Sequence, residues 1–158
     1  KRLHEISDRY ASTIPIWDVV NEALCCVKDF PLYDDELSYV AWSFREVEPL
    51  FPKDTLLYIN EVDTLGHRWE GEGGTDSPYY QQVKQLLAEG VPVRAVGFQF
   101  HVMSDWAIDG ILDGTGYTPE RLYNVYELFS GLAFPWRSLK SPCPRSIRAR
   151  RRWRFRPS

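Results

Sequence analysis

Not one acidic residue follows Glu127, although the chain holds 22 Asp and Glu. Residues 1–136 carry 10 Lys and Arg beside all 22 acids, whereas the last 22 residues carry 9 Lys and Arg and no acid. The net charge of −3 therefore hides two compositions joined end to end. Cysteine is scarce: adjacent Cys25 and Cys26 and a distant Cys143 lack the paired spacing of zinc and thiol-redox motifs. No run reaches the roughly 18 apolar residues of a membrane-spanning helix. No signal peptide is visible at Lys1, although a chain that begins inside a domain leaves secretion undecided. A Gly-x-Ser-x-Gly elbow, a phosphate-binding glycine loop and a metal-ligand cluster are also missing, so no cofactor or metal is expected. At 158 residues the chain is shorter than the roughly 200 or more of a complete eight-unit β/α barrel.

What is present is a core and a rhythm. Hydrophobic residues make up 44% and aromatics 15% of the chain, including six Trp and nine Tyr. Leu3, Ile6 and Tyr10 at helical spacing predict a helix over residues 1–12. The apolar run Ile16 to Val20 predicts a strand that ends at Asn21 and Glu22. Residues 36–49 form an amphipathic period with Leu37, Val40, Ala41, Phe44 and Val47 on one face, followed by a strand from Leu56 to Ile59 that terminates in Asn60 and Glu61. Pro78 in a first turn and Gly90 at a stop bracket the next helix, about Ser77 to Glu89. A strand over 95–100 leads to His101, then a loop rich in Gly and Asp. Thr118 and Pro119 then cap a helix through Ser130 whose Leu122, Val125, Tyr126 and Phe129 point inward. Strands beginning near Ile16, Leu56 and Ala95 and alternating with helices imply an α/β fold with a parallel sheet and outer helices. Polar residues gather just past the carboxyl end of each strand, where barrel enzymes place their chemistry.

The segment Trp17-Asp18-Val19-Val20-Asn21-Glu22-Ala23 resembles the acid/base strand of glycoside hydrolase family 10, the xylanase family. Leu57-Tyr58-Ile59-Asn60-Glu61-Val62 is similar to that family's next strand, usually Asn-Asp-Tyr-Asn, with Glu61 and Val62 in place of Asp and Tyr. Val96-Gly97-Phe98-Gln99-Phe100-His101 resembles its Gly-Phe-Gln-Ser-His strand. The resemblance spans about residues 3–135 and implies half of a (β/α)8 barrel, about its fourth to sixth units. It implies Glu22 as general acid/base, Asn21 as a ligand of the sugar 2-hydroxyl, Gln99 as a cleft residue, and His101, Asn60 and Glu61 as supporting residues. It also implies xylan or xylo-oligosaccharides as partners and a secreted parent. A rigid strand end suits an acid/base, because proton transfer to a departing oxygen demands fixed geometry.

The family's seventh strand should follow Pro135 and present the nucleophile in a Thr-Glu or Ser-Glu pair. The chain instead reads Trp136-Arg137-Ser138-Leu139-Lys140, with no acid. One permissible coding of Pro135 to Pro144, read from the third base of its first codon, yields Leu-Glu-Val-Ser-Glu-Val-Thr-Val-Pro, which looks like a nucleophile strand. The expectation is therefore a catalytic-domain part over 1–135 and a frame-shifted, disordered basic tail over 136–158, with little or no turnover by this chain. Open barrel edges predict self-association. Three other readings stand beside this one: a half-barrel that binds sugar without cleaving it through aromatics such as Trp69 or Trp106, a nucleic-acid arm using Trp153 and Phe155 among the arginines, and an esterase.

Overall fold

The computed structural model describes residues 1–24, 31–32, 34, 36–62, 74–99, 105–115 and 118–134, with 105–107 described by backbone alone. Helix α1 (Arg2–Tyr10) leads into strand β1 (Ile16–Asn21); α2 (Ser38–Val47) continues as a 3-10 turn (Glu48–Leu50) and precedes β2 (Leu56–Glu61). Helix α3 (Pro78–Ala88), β3 (Ala95–Phe98), α4 (Asp105–Leu112) and α5 (Pro119–Ser130) follow. The strands form one sheet in the order β1-β2-β3, both pairs parallel. Parallel neighbours need a crossover between them, and α2 and α3 are those crossovers.

The helix boundaries follow local chemistry. The Ser77 hydroxyl accepts the Tyr80 N–H ahead of Pro78, and Thr118 does the same for Arg121 ahead of Pro119. At the far end of α3, Gly90 takes φ +69°, its N–H reaching the Leu87 carbonyl and the Val91 N–H the Leu86 carbonyl. This pair of bonds needs a left-handed residue, which glycine supplies without a Cβ clash.

The core lies on one side of the sheet. Leu57 and Ile59 of β2 and Val20 of β1 meet Val40, Phe44 and Val47 of α2, Tyr79, Val83 and Leu86 of α3, and Val125 and Phe129 of α5. Along β2 the burial alternates residue by residue, with Leu57, Ile59 and Glu61 inward and Leu56, Tyr58 and Asn60 on the open face. That open face corresponds to a barrel interior, and it ends on the exposed Ile16 at the strand origins. Arg94 secures those origins by donating to the Thr55 carbonyl at 2.7 Å and pairing with Glu48 at 3.1 Å.

Three expectations need correction. The Gly- and Asp-rich stretch after His101 contains helix α4; one internal glycine, Gly110, costs only about 1 kcal/mol relative to alanine, and Ile108, Ile111 and Leu112 propagate the turn. Tyr126 is 55% exposed, because the ring touches Phe98 edge-on at 5.7 Å from the margin of the sheet. Strand β3 ends at Phe98, so Gln99 stands just beyond it. Phe100, His101, Trp69, the three cysteines and the tail from residue 135 lie outside the described residues, as does the side chain of Trp106.

Candidate active site

Strict alternation from Trp17 would turn Asn21 toward the helices, on the side where Trp17 packs edge-on against Phe51 at 5.0 Å. The structure avoids this with a bulge. Asp18 pairs with Tyr58, but Val20, not Val19, pairs with Ile59, and Asn21 then pairs with Asn60. The extra residue shifts the phase by one, so that Val20 is buried beside Ile59 and Asn21 emerges on the open face beside Asn60. Bulges characteristically re-aim a side chain in this way.

Four side chains meet at this end of the sheet. Asn60 Nδ2 donates to Asn21 Oδ1 at 2.8 Å. Gln99 Nε2 donates to the same oxygen at 2.9 Å and to Glu22 Oε1 at 2.8 Å. With its oxygen accepting twice, the Asn21 amide presents its Nδ2 as the remaining donor. The structure thus brings together Asn21, Glu22, Asn60 and Gln99, at or just past the ends of three strands and across up to 78 residues of chain.

Glu22 itself has φ +57°, a left-handed conformation that costs a non-glycine residue roughly 1–2 kcal/mol. Its N–H continues the ladder by donating to the Asn60 carbonyl at 2.9 Å. Glu61 points the other way. It is 1% exposed, on the helix side of β2, and its carboxylate accepts the Leu24 N–H at 3.3 and 3.5 Å. Expected from the sequence as a supporting residue, Glu61 lies under the loop that follows β1.

Four further residues shape the site. A Cβ on Gly97 would collide with the Asn60 amide oxygen and come within 3.0 Å of the Tyr58 ring; only glycine lets these side chains lie across β3. Asp18 and Tyr58, facing partners on the open side, share a side-chain hydrogen bond. Burial raises the Asp18 carboxyl to about 6, the Tyr58 bond opposes that rise, and the charge of Glu22 adds to it. From behind, the buried Tyr79 hydroxyl donates to the Ile59 and Gly97 carbonyls at 2.8 and 3.1 Å. Its own ionisation is pushed up, first by burial and then by the charge of Glu61. Asp18 and Gly97 stood inside the recognised motifs, and their parity on the strands was the available signal; Tyr79 carried none beyond a helical period. Among the described residues, no group of three or more His, Cys, Asp or Glu is placed to hold a metal, and no helix is long and apolar enough to cross a membrane.

Residues 1–114 match the family described as Glycosyl hydrolase family 10. The chain is 30% identical over 111 residues to endo-1,4-beta-xylanase A of Caldicellulosiruptor sp. (strain Rt8B.4), covering 67% of this chain and 15% of that protein. It is 32% identical over 105 residues to a thermostable celloxylanase of Thermoclostridium stercorarium, covering 60% of this chain and 24% of the relative. The structure superposes on xylanase B from Clostridium stercorarium F9 with a TM-score of 0.58 and 28% identity, over 84% of this chain and 36% of that one. A mutant structure in complex with xylotriose shares the fold at a TM-score of 0.57 and 23% identity, over 84% of this chain and 37% of that one. The chain thus spans well under half the length of these relatives.

Proposed function

From the premise that the chain belongs to glycosyl hydrolase family 10, we propose that it is the part of a retaining endo-β-1,4-xylanase barrel that carries the general acid/base. The observation that carries this reading is the meeting of Asn21, Glu22, Asn60 and Gln99 at the carboxyl ends of parallel strands. Glu22 protonates the departing glycosidic oxygen and later takes a proton from the attacking water. The Asn21 amide, its oxygen occupied, donates to the sugar 2-hydroxyl. Gln99 ties the two together, and preorganisation of this kind avoids reorganisation during reaction. His101 is read from the resemblance as a support for the nucleophile. The substrates are xylan and xylo-oligosaccharides, and because such polymers do not enter cells, the parent is read as secreted.

A retaining reaction needs a second carboxylate about 5–5.5 Å from the first, on the opposite face of the sugar. Glu61 faces the helix layer, and Asp18 shares the acid/base strand, so neither approaches from across the cleft. The domain is therefore read as residues 1–135, the remainder as a frame-shifted tail, and the chain as lacking its nucleophile. Each of β1 and β3 pairs on one side only among the described residues, and a parallel sheet bare on one face invites association with a second copy. Light scattering that finds only monomer at high concentration would count against that association.

The test is reducing-sugar release from xylan by this chain, by a frame-restored form carrying Leu-Glu-Val-Ser-Glu after Pro135, and by Glu22→Gln of each, beside a xylotriose binding isotherm. Binding without turnover in the present chain is expected, its rate several powers of ten below a complete xylanase. Turnover by the unrestored chain comparable to that of the frame-restored form, and abolished by Glu22→Gln, would show that another carboxylate or a partner subunit completes the site. No affinity for xylotriose would remove the sugar-binding reading altogether.

A further inference from the structure

Glu22 occupies a backbone conformation that side-chain-bearing residues avoid, and something must hold it there. Two adjacent residues at the end of β2 do so from opposite sides. The Asn60 carbonyl takes the Glu22 N–H at 2.9 Å; the Glu61 carboxylate takes the Leu24 N–H at 3.3 and 3.5 Å. Between them Ala23 is 1% exposed, a small side chain pressed into the layer on which Glu61 lies. Strand β1 ends at Asn21, and beyond it the Leu24 N–H is taken by a carboxylate on the buried side of β2. The register that sends Asn60 to the open face sends Glu61 beneath the turn, so one dipeptide both contacts the site and anchors its support.

We infer that Glu61 is a positioning residue for Glu22, fixing the left-handed turn by accepting the Leu24 N–H. Its consequence for sugar binding rests on the reading of Glu22 and Asn21 given above. The clamp itself does not. What matters is an acceptor at the right depth, so a glutamine should serve and an apolar side chain of similar volume should not. Loss of the clamp lets residue 22 relax toward an ordinary negative φ, which swings its side chain away from Gln99.

The experiment compares the unmutated chain with Glu61→Gln and Glu61→Leu. It follows amide exchange at Leu24, the φ-sensitive coupling constant at residue 22, and xylotriose affinity. In Glu61→Leu, Leu24 exchange is expected to accelerate about tenfold or more, the coupling to drift toward an averaged value, and xylotriose affinity to fall about tenfold, the scale of one lost hydrogen bond to a buried group. Glu61→Gln should hold all three near the unmutated values. Unchanged Leu24 exchange in Glu61→Leu overturns the proposal. Should that variant fail to fold, the unmutated chain still decides, because a Leu24 amide exchanging as freely as an open loop also overturns it. If the unmutated chain has no affinity for xylotriose, the reading of Glu22 and Asn21 fails, and exchange at Leu24 alone judges the clamp.

Discussion

Gly97 faces Asn60 across the β2–β3 ladder, and the space above its α-carbon is filled by the Asn60 side chain and the edge of the Tyr58 ring. A methyl group there would lie 3.1 Å from Asn60 Cγ and 3.0 Å from Tyr58 Cε2. Gly97→Ala is therefore expected to lose about 1–3 kcal/mol of stability through overpacking and to displace Asn60 from Asn21. Urea denaturation measures the first and the xylotriose isotherm the second. An unchanged midpoint would mean that the neighbours yield freely.

Gln99, half-buried, links Asn21 and Glu22 through one nitrogen. Gln99→Ala should leave the unfolding midpoint within about 0.5 kcal/mol of the original. Xylotriose affinity should drop roughly tenfold, equivalent to about 1.4 kcal/mol. A stability loss as large as that of Gly97→Ala would assign Gln99 to the scaffold instead.

Asp18 gives the pH dependence a sign. Its carboxyl rises from 3.8 to about 6 in the folded chain, chiefly through burial. Between these values the folded state binds more protons than the unfolded state, so this group makes stability fall as pH rises from about 4 to about 6. The penalty is absent below that window and complete above it. Asp18→Asn removes the titration and keeps an acceptor for the Tyr58 hydroxyl. Because Asp18 retains open surface, solvent screens part of the effect, and the variant should gain about 1 kcal/mol at pH 7 and nothing at pH 4. Paired denaturation curves at the two pH values decide this; a gain equal at both would trace to packing.

Tyr79 holds two strands by one hydroxyl, which donates to Ile59 of β2 and Gly97 of β3. Tyr79→Phe keeps the ring among Phe98 and Phe129 and removes only those bonds. A loss of about 1–2 kcal/mol is expected, with an unchanged denaturant slope. A loss below 0.5 kcal/mol, to take a rough limit from exposed sites, would show that the ladder needs no such staple.

The amino-acid sequence by itself determined the alternation of elements and the family resemblance of the segment from Trp17 to Ala23. Periods of two and 3.6 residues are local, and Trp17 to Ala23 is a continuous motif, so both are legible along one dimension. Caps were readable for the same reason: Ser77-Pro78, Thr118-Pro119 and Gly90 act within a few residues of themselves. Tertiary structure alone decided which way the side chains face. The bulge at Val19 exists because β2 offers Ile59 to Val20, and that pairing spans 39 residues; alternation read from β1 puts Asn21 on the wrong side. Glu61 was legible as a supporting residue, but which side of β2 it supports from was set only by the burial of Leu57 and Ile59, which fixes its parity. Helix α4 hid behind Asp109 and Gly110, whose local cost is small once neighbouring apolar residues are counted. Tyr79 could be recognised only after folding, because the two carbonyls it joins lie on different strands, 20 and 18 residues away. Phase, parity and shared partners depend on which strand lies alongside, and that is settled by packing rather than by neighbours in the chain.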